Sequence, residues 1–207
     1  MQSPTRAALV RQLQRAYSGE RGAAVAYRGH ARSLRDTAER ARVHLIRAEE
    51  LDHRRRVGGL LDHLNARPDP LLEVRNACLG GSIAAFCQIG GWFLPMYGAG
   101  WIERRNIQEY EHAARLAAAC GESGMAEDLL SMAETEWEHE RFFRLKAATH
   151  WAARVLRLWS PPGPKAAIRG RFAECRRVST PAAPVSDVDL AALGVALPAT
   201  SAASATD

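Results

Sequence analysis

The chain has 207 residues, enough for one well-packed domain, and 47% of them are hydrophobic while 25% are charged. Alanine, leucine, arginine and glutamate are prominent and β-branched clusters are few, so the composition favours helices over a sheet. The net charge is +5, but the arginines are interspersed with glutamates, and the pattern does not indicate a nucleic-acid partner.

The cysteines argue against several familiar site types. Cys78, Cys87, Cys120 and Cys175 lack CxxC spacing, which disfavours a zinc knuckle, a rubredoxin-type iron centre and a disulfide scaffold. The N-terminal segment shows helical periodicity rather than the apolar core of an export signal. We therefore expect a cytoplasmic protein.

Four long helices are predicted in chain order, with an apolar stretch between the second and third. The first runs over about 4–34, after a Ser-Pro cap, and the second over about 37–64, where "NARPDP" stops it. The apolar stretch covers 79–101. The third helix is expected over about 95–120 and the fourth from about 125 past 146.

The apolar stretch 79–101 contains no charged residue and is nominally long enough to cross a bilayer. Its many glycines and Pro95 favour a broken pair of segments that is buried or rests on a membrane. Residues 1–160 are thus predicted to form the bundle. Residues 161–207 are predicted to be a mostly disordered Ala/Pro/Ser-rich tail, with one short helical turn near 188–193.

The second predicted helix carries an acid and an imidazole on its apolar face. The stripe on this face comprises Val43, Ile46, Val57, Leu60 and Leu64. Glu50 and His53 continue its spacing of three and four, so both side chains should point inward. On the fourth helix Glu136 and His139 occupy the same kind of stripe.

The first and third helices each add one glutamate, followed a heptad later by a tyrosine. These residues are Glu20, Tyr27, Glu103 and Tyr110, which makes the two predicted hairpins an approximate repeat. Glu109 is the alternative ligand on the third helix if that helix is rotated. With His112 it also forms a third Glu-x-x-His, which lies off the apolar face and is interpreted as a solvated pair.

Four carboxylates and two imidazoles inside one bundle are too costly to bury without counter-charges. Two divalent cations would neutralise Glu20, Glu50, His53, Glu103, Glu136 and His139. This ligand set is the one described for ferritin-like di-iron or di-manganese four-helix bundles, and iron suits mixed carboxylate and imidazole ligands. Tyr27 and Tyr110 are ordinary core aromatics or hydrogen-bonding supports for the ligands.

The segments "SGERGAAVAYRGH" (18–30), "EELDH" and "EWEH" together resemble the demethoxyubiquinone hydroxylase family of ferritin-like di-iron monooxygenases. The matching positions are Gly19, Glu20, Gly22, Ala23, Tyr27, Gly29, Glu50, Asp52, His53, Glu136, Glu138 and His139. On the third helix only Glu103 and Tyr110 are retained, and Glu109 stands where the family usually has a histidine.

The resemblance implies an O2-dependent monooxygenase that hydroxylates the ring of a polyprenyl quinone or quinol in ubiquinone biosynthesis, using two Fe2+ ions. The resemblance implies electrons from NADH or an external reductase. Because the chain shows no Gly-rich dinucleotide loop, any flavin or reductase would come from another protein. By resemblance, residues 79–101 dock on the inner membrane, which makes the protein peripherally associated. A homodimer or a quinone-biosynthesis complex remains open.

Three other functions stay open at this point. Within the same fold, the chain could oxidise iron or scavenge peroxide, or hydroxylate a modified tRNA base, for which basic residues should cluster near the site. In a different class, a metal-free helical scaffold would bind membranes through 79–101 and "HWAARVLRLW".

Overall fold

The computed structural model describes residues 3–179, and all regular secondary structure in that range is helical, with no strand. The helices are α1 (Pro4–Ser33), α2 (Thr37–His63), α3 (Pro70–Ile89), α4 (Phe93–Ala119), α5 (Ser123–Ala148), α6 (Ala153–Leu156) and α7 (Ala166–Ser179). The all-α prediction is confirmed. The four predicted long helices correspond to α1, α2, α4 and α5.

Side-chain caps explain where the first three helices begin. The Ser3 hydroxyl accepts a hydrogen bond from the backbone of Arg6 at 3.2 Å, and Pro4 follows at the first helical position. Asp36 caps α2 in the same way, and Asp69 caps α3 ahead of Pro70. The segment "NARPDP" therefore ends one helix and starts the next.

The helices α1, α2, α4 and α5 form a bundle in which neighbouring helices run antiparallel. Short turns join α1 to α2 and α4 to α5. The other two neighbouring pairs, α1 with α4 and α2 with α5, are connected by contacts between side chains. Tyr27 of α1 meets Glu103 of α4, and His53 of α2 meets Glu136 of α5. Helix α3 runs back alongside α1, which lets α2 and α4 point the same way.

Two separate apolar clusters fill the bundle, one toward each end. One contains Leu9, Leu13, Val57, Leu61, Ile107 and Leu129, and the other contains Tyr27, Val43, Ile46, Met96 and Phe143. On α2, Glu50 and His53 lie between the residues of the two clusters. The sequence thus places a polar layer across the middle of the core.

The apolar stretch 79–101 is divided between two helices. Helix α3 continues unbroken through Gly80, and the break comes at Gly91, whose φ of 70° is in the left-handed region. Close packing requires Gly80, because a Cβ there would lie 2.2 Å from the backbone oxygen of Gly22 on α1. Within residues 3–179, no helix combines the length and the apolar character needed to cross a membrane.

Residues 166–179 differ from the predicted disordered tail, because they form α7. Its Ile168 is 1% exposed and joins an apolar cluster of the bundle, while Arg169 pairs with Glu127 and Glu134 on α5. One buried isoleucine in a helix with five charged residues gives too weak a periodic signal to outweigh the preceding prolines. The short turn predicted near 188–193 lies outside the described residues.

Candidate metal centre

The six predicted ligand residues converge in the middle of the bundle. Within residues 3–179 they form two groups whose potential ligand atoms lie within 4.8 Å of one another. One group is Glu20, Glu50, His53 and Glu136, and the other is Glu50, Glu103, Glu136 and His139. The α2 and α5 glutamates belong to both groups. All six side chains are at most 4% exposed.

The imidazole Nδ1 atoms face the shared carboxylates. His53 Nδ1 lies 3.0 Å from Glu136 Oε1, and His139 Nδ1 lies 3.2 Å from Glu50 Oε1. His139 Nδ1 is also 3.3 Å from Glu136 Oε2 on its own helix. The spacing of three residues between acid and imidazole puts both on the same helical face, as the sequence predicts.

Burial and mutual repulsion hold the carboxylates toward their protonated forms. Desolvation raises the pKa of Glu50 to about 7, and the charges of Glu136 and Glu103 add to the effect. Burial likewise raises the pKa values of Glu20 and Glu103 well above the usual range, and that of Glu136 is also raised. Four such groups so close together call for positive charge.

The two histidines experience different surroundings. Burial lowers the pKa of His53. Burial alone would also lower the pKa of His139, but the adjacent carboxylates of Glu136, Glu49 and Glu50 outweigh this effect and raise the pKa well above its usual value. Without metal, the neighbouring carboxylates therefore favour the protonated form of His139.

Several carboxylate oxygens are buried without a hydrogen bond from any group in the described chain. They are both oxygens of Glu50, Oε2 of Glu20 and Oε2 of Glu140, and the first three belong to the cluster. Buried oxygens without donors are destabilising, and native proteins rarely retain them without a partner. Oxygen and imidazole atoms with free lone pairs are also what a divalent cation binds. The donor set therefore fits metal ions.

The two tyrosines support the site crosswise. The Tyr27 hydroxyl of α1 donates a hydrogen bond to Glu103 of α4. The Tyr110 hydroxyl of α4 donates one to Glu20 of α1. Burial, followed by the nearby carboxylates, raises both tyrosine pKa values well above normal, so both phenols remain donors. Asn106 donates to the second oxygen of Glu103 at 2.8 Å.

The structure distinguishes the two glutamates proposed for the third bundle helix. Glu103 has no exposed surface and belongs to one of the two groups. Glu109 instead pairs with Arg105 at 2.7 Å, and its side chain is 35% exposed. The apolar register of α4 therefore selects Glu103 for the cluster.

Sequence reasoning missed Glu49, which lies directly beside the cluster. Its Oε2 is 2.7 Å from Nε2 of His139, the ring nitrogen opposite the one that faces the carboxylates. The Glu49 side chain is 31% exposed and also approaches Arg42 at 3.4 Å. Such a partner fixes which nitrogen carries the proton and orients the ring. Its position directly before the predicted ligand Glu50 was the only sign of it in the sequence. Because adjacent residues on a helix point in different directions, that position did not predict a contact with the cluster.

Glu140 was missed as well. It is fully buried, and its Oε1 accepts hydrogen bonds from Trp159 at 2.7 Å and Arg144 at 2.8 Å. These contacts attach the chain after α5 to the bundle. Glu140 is outside both candidate ligand groups.

A cavity of about 710 Å³ lies between α1, α3 and α4, where α3 packs on α1 and barely touches α4. Three residues connect it to the cluster, because Glu20, Tyr27 and Tyr110 line its wall. Near the surface its lining includes Leu79, Phe86, Leu94, Trp101 and Ile102, all of them substantially exposed. The cavity thus reaches one candidate ligand, Glu20, from one side of the bundle, beside an apolar surface.

Fold and site together define an all-helical bundle with a buried carboxylate and histidine cluster that could hold metal ions. Compared with family models, curated proteins and solved structures, the chain matches none.

Proposed function

We propose that the protein is a ferritin-like, O2-dependent di-iron monooxygenase that hydroxylates the ring of a polyprenyl quinone or quinol. The observation that carries the proposal is the convergence of four buried glutamates and two histidines into two overlapping groups. The cavity that reaches Glu20 from an apolar surface supports a lipid substrate.

Each group would hold one ion. Glu20 and His53 would serve one ion and Glu103 and His139 the other, with the α2 and α5 glutamates shared between them. Iron bound there supplies the capacity to activate O2, which a protein side chain cannot do. Manganese suits a similar oxygen-rich set, so metal identity belongs to the test.

The chain's own residues control what reaches the ions. Apolar clusters on both sides of the polar layer exclude bulk water, which would otherwise compete with substrate and quench reactive species. Tyr27 and Tyr110 keep their protons and hold Glu103 and Glu20 in fixed orientations. Substrate enters along the α1, α3 and α4 side, away from Glu49.

A membrane surface is the proposed source of substrate. Several apolar side chains on α3 and the start of α4 are exposed, including Leu71 at 81% and Ile89 at 84%. Leu79, Phe86 and Leu94 are both exposed and part of the cavity lining, so a lipid tail can leave the cavity along this surface. This surface is the proposed site of peripheral attachment to the inner membrane.

The proposed reaction needs an external reductant. One oxygen atom of O2 replaces a ring hydrogen as a hydroxyl, and the other leaves as water after taking two electrons and two protons. NADH, directly or through a separate reductase, is the proposed electron source.

Iron binding tests the first half of the proposal. Purified protein loaded anaerobically with Fe(II) should retain about two ions per chain. Glu136→Ala should lose most of them, while the surface variant Glu109→Ala serves as the matched control. Fewer than one ion per wild-type chain would instead favour the metal-free membrane scaffold.

The quinone pool tests the second half. Cells that lack the protein should accumulate a quinone precursor with one ring hydroxyl fewer, and wild-type protein should restore the product. A Glu50→Ala copy should fail to restore it. An unchanged pool would reject the quinone assignment, while leaving the iron result intact.

One observation favours a second substrate, a modified tRNA base. Arg15, Arg75 and Arg105 line the cavity and are exposed, which gives its rim the positive charge that a phosphate backbone prefers. Arg105 is offset by its pair with Glu109. Nucleoside analysis of tRNA from the same deletion cells distinguishes the two substrates.

A further inference from the structure

His30 is a second cavity residue, besides the candidate ligand Glu20, with a buried polar atom that has no hydrogen-bond partner among the described residues. Its side chain lines the cavity and is only 2% exposed. Its Nε2 is sealed from solvent and makes no hydrogen bond to any group within residues 3–179. Core histidines usually satisfy both ring nitrogens, so an unsatisfied nitrogen here is costly in the empty protein.

The surroundings of His30 are mainly aromatic. Its ring stacks against Tyr27 at 6.3 Å and Phe143 at 5.8 Å between centroids. The nearest charge is Glu39 on α2, but the oxygens of that carboxylate are already engaged by Trp92 at 2.7 Å and Lys146 at 2.9 Å. No described contact gives His30 a role in an ion pair.

His30 also has the right position along α1. It lies one helical turn beyond Tyr27, so the two side chains share a face of the helix. Three residues correspond to about 4.5 Å along the helix axis. Because Tyr27 donates to Glu103, His30 lies one helical turn from a residue that contacts a candidate metal ligand.

We infer that His30 is a substrate-binding residue, whose imidazole makes a hydrogen bond to an oxygen on the ring of an aromatic substrate that enters the cavity. The inference rests on the proposed function and deepens it. It assigns the ring oxygen as the feature recognised, and it adds a residue that is not among the candidate metal ligands.

The protonation state of His30 suits this role. Burial lowers its pKa to about 4, against a smaller opposing effect of Glu39, so the ring is neutral near neutral pH. A neutral imidazole has one donor and one acceptor nitrogen. It can donate to the carbonyl of a quinone or accept from the hydroxyl of a quinol, and it therefore binds both oxidation states of the ring.

Ligand binding to the full chain, before iron is added, tests the inference without relying on activity. The probes are fully methylated benzoquinone, its hydroquinone, and the methylbenzene of the same shape without ring oxygens. Equilibrium dialysis should show that His30→Phe binds the quinone and the hydroquinone less tightly than wild type, with dissociation constants roughly three- to tenfold larger. The methylbenzene should bind both proteins equally.

His30→Gln is the matched variant, because its amide keeps a donor and an acceptor; it should retain most of the affinity for the oxygenated rings. Thermal unfolding checks that each variant is folded, and His30→Gln carries the test if the phenylalanine variant is not. Equal quinone binding by wild type and His30→Phe, or an equal loss for all three probes, would overturn the role of His30 while leaving the proposed function standing. If wild type binds neither oxygenated ring, the quinone assignment fails and the inference fails with it.

Discussion

The two helix hairpins of the bundle supply the same residues in the same order, yet they do not build equivalent halves of the site. Hairpin α1–α2 gives Glu20, Tyr27, Glu50 and His53, and hairpin α4–α5 gives Glu103, Tyr110, Glu136 and His139. Each tyrosine bonds to the glutamate of the other hairpin. The repeat therefore produces a crosswise arrangement at the centre.

The difference lies just outside the repeated residues. Glu49 precedes Glu50 and bonds to His139, whereas the corresponding position on α5 is Thr135, whose hydroxyl donates back to Ser131 on its own helix at 3.2 Å. Glu49 joins Glu136 and Glu50 in raising the pKa of His139, whereas burial lowers the pKa of His53. A repeat in ligand residues thus fixes the centre, and the neighbouring residues make its two halves chemically distinct.

The largest expected effect is the loss of metal when a glutamate that belongs to both ligand groups is replaced, compared with a ligand that belongs to one group only. Glu50→Ala removes a carboxylate that belongs to both groups, so metal content should fall from about two ions per chain to nearly none. Glu20→Ala and His139→Ala each affect one group and should leave about one ion. Elemental analysis after anaerobic Fe(II) loading measures all three. Equal losses in the three variants would mean that the hairpins do not define two separate positions.

Replacing Glu49, the partner of His139, should have a smaller effect, which is confined to metal affinity at the position that His139 serves. Glu49→Gln keeps the size of the side chain but weakens its hydrogen bond to His139, and such changes beside a ligand lower metal affinity about 10- to 100-fold. Thr135→Val is the matched change on the other hairpin and should leave affinity nearly unchanged. Competition with a chromophoric chelator gives both affinities. A comparable loss in the Thr135→Val protein would argue against the asymmetry.

The pH dependence of stability should change sign with metal. In the metal-free protein the cluster carboxylates have raised pKa values, about 7 for Glu50, so the folded state binds more protons than the unfolded state. Their stabilising contribution is full below the ordinary value of 4.5 and is lost as pH rises toward and through the folded pKa values. The melting temperature of metal-free protein should therefore fall as pH rises from about 4.5 to about 7.

The metal-loaded protein should show the opposite trend over the same interval, because ligands must lose their protons before they bind an ion. Glu50→Gln in metal-free form should have a flatter profile than wild type, since it removes one of the groups that titrate. Differential scanning calorimetry of these three samples is the measurement. Parallel profiles for metal-free and loaded protein would contradict the assignment of the carboxylates as ligands.

Much of the candidate centre could be predicted because burial and helical spacing both leave traces in sequence. Glu50 and His53 interrupt an otherwise apolar stripe at the correct spacing, and the structure buries both. The apolar stripe of α5 gives the same information for Glu136. Along a regular helix of known register, the sequence alone indicates which residues face inward.

Contacts between helices that are distant in sequence leave no such trace. Glu49 was missed because its partner His139 comes from another helix, and helical spacing says nothing about which helices meet. The cavity depends on α3 lying against α1 through Gly22 and Gly80, and away from α4. The third-helix ligand was left between Glu103 and Glu109 because α4 has glycines and alanines on several faces, which blurs its register.

The smallest expected effect is that of replacing Glu109, the alternative ligand on α4. Glu109 pairs with Arg105 at a partly exposed position, where an ion pair contributes about 0–1 kcal/mol. Glu109→Ala should therefore keep the full metal content and shift the melting temperature little, whereas Glu103→Ala should lose about one ion and leave the Tyr27 hydroxyl without its acceptor. Metal analysis and calorimetry of the two variants decide between them. The reverse result would make Glu109 the α4 ligand, and the hydrogen bond from Tyr27 to Glu103 would then no longer join the hairpins through a metal ligand.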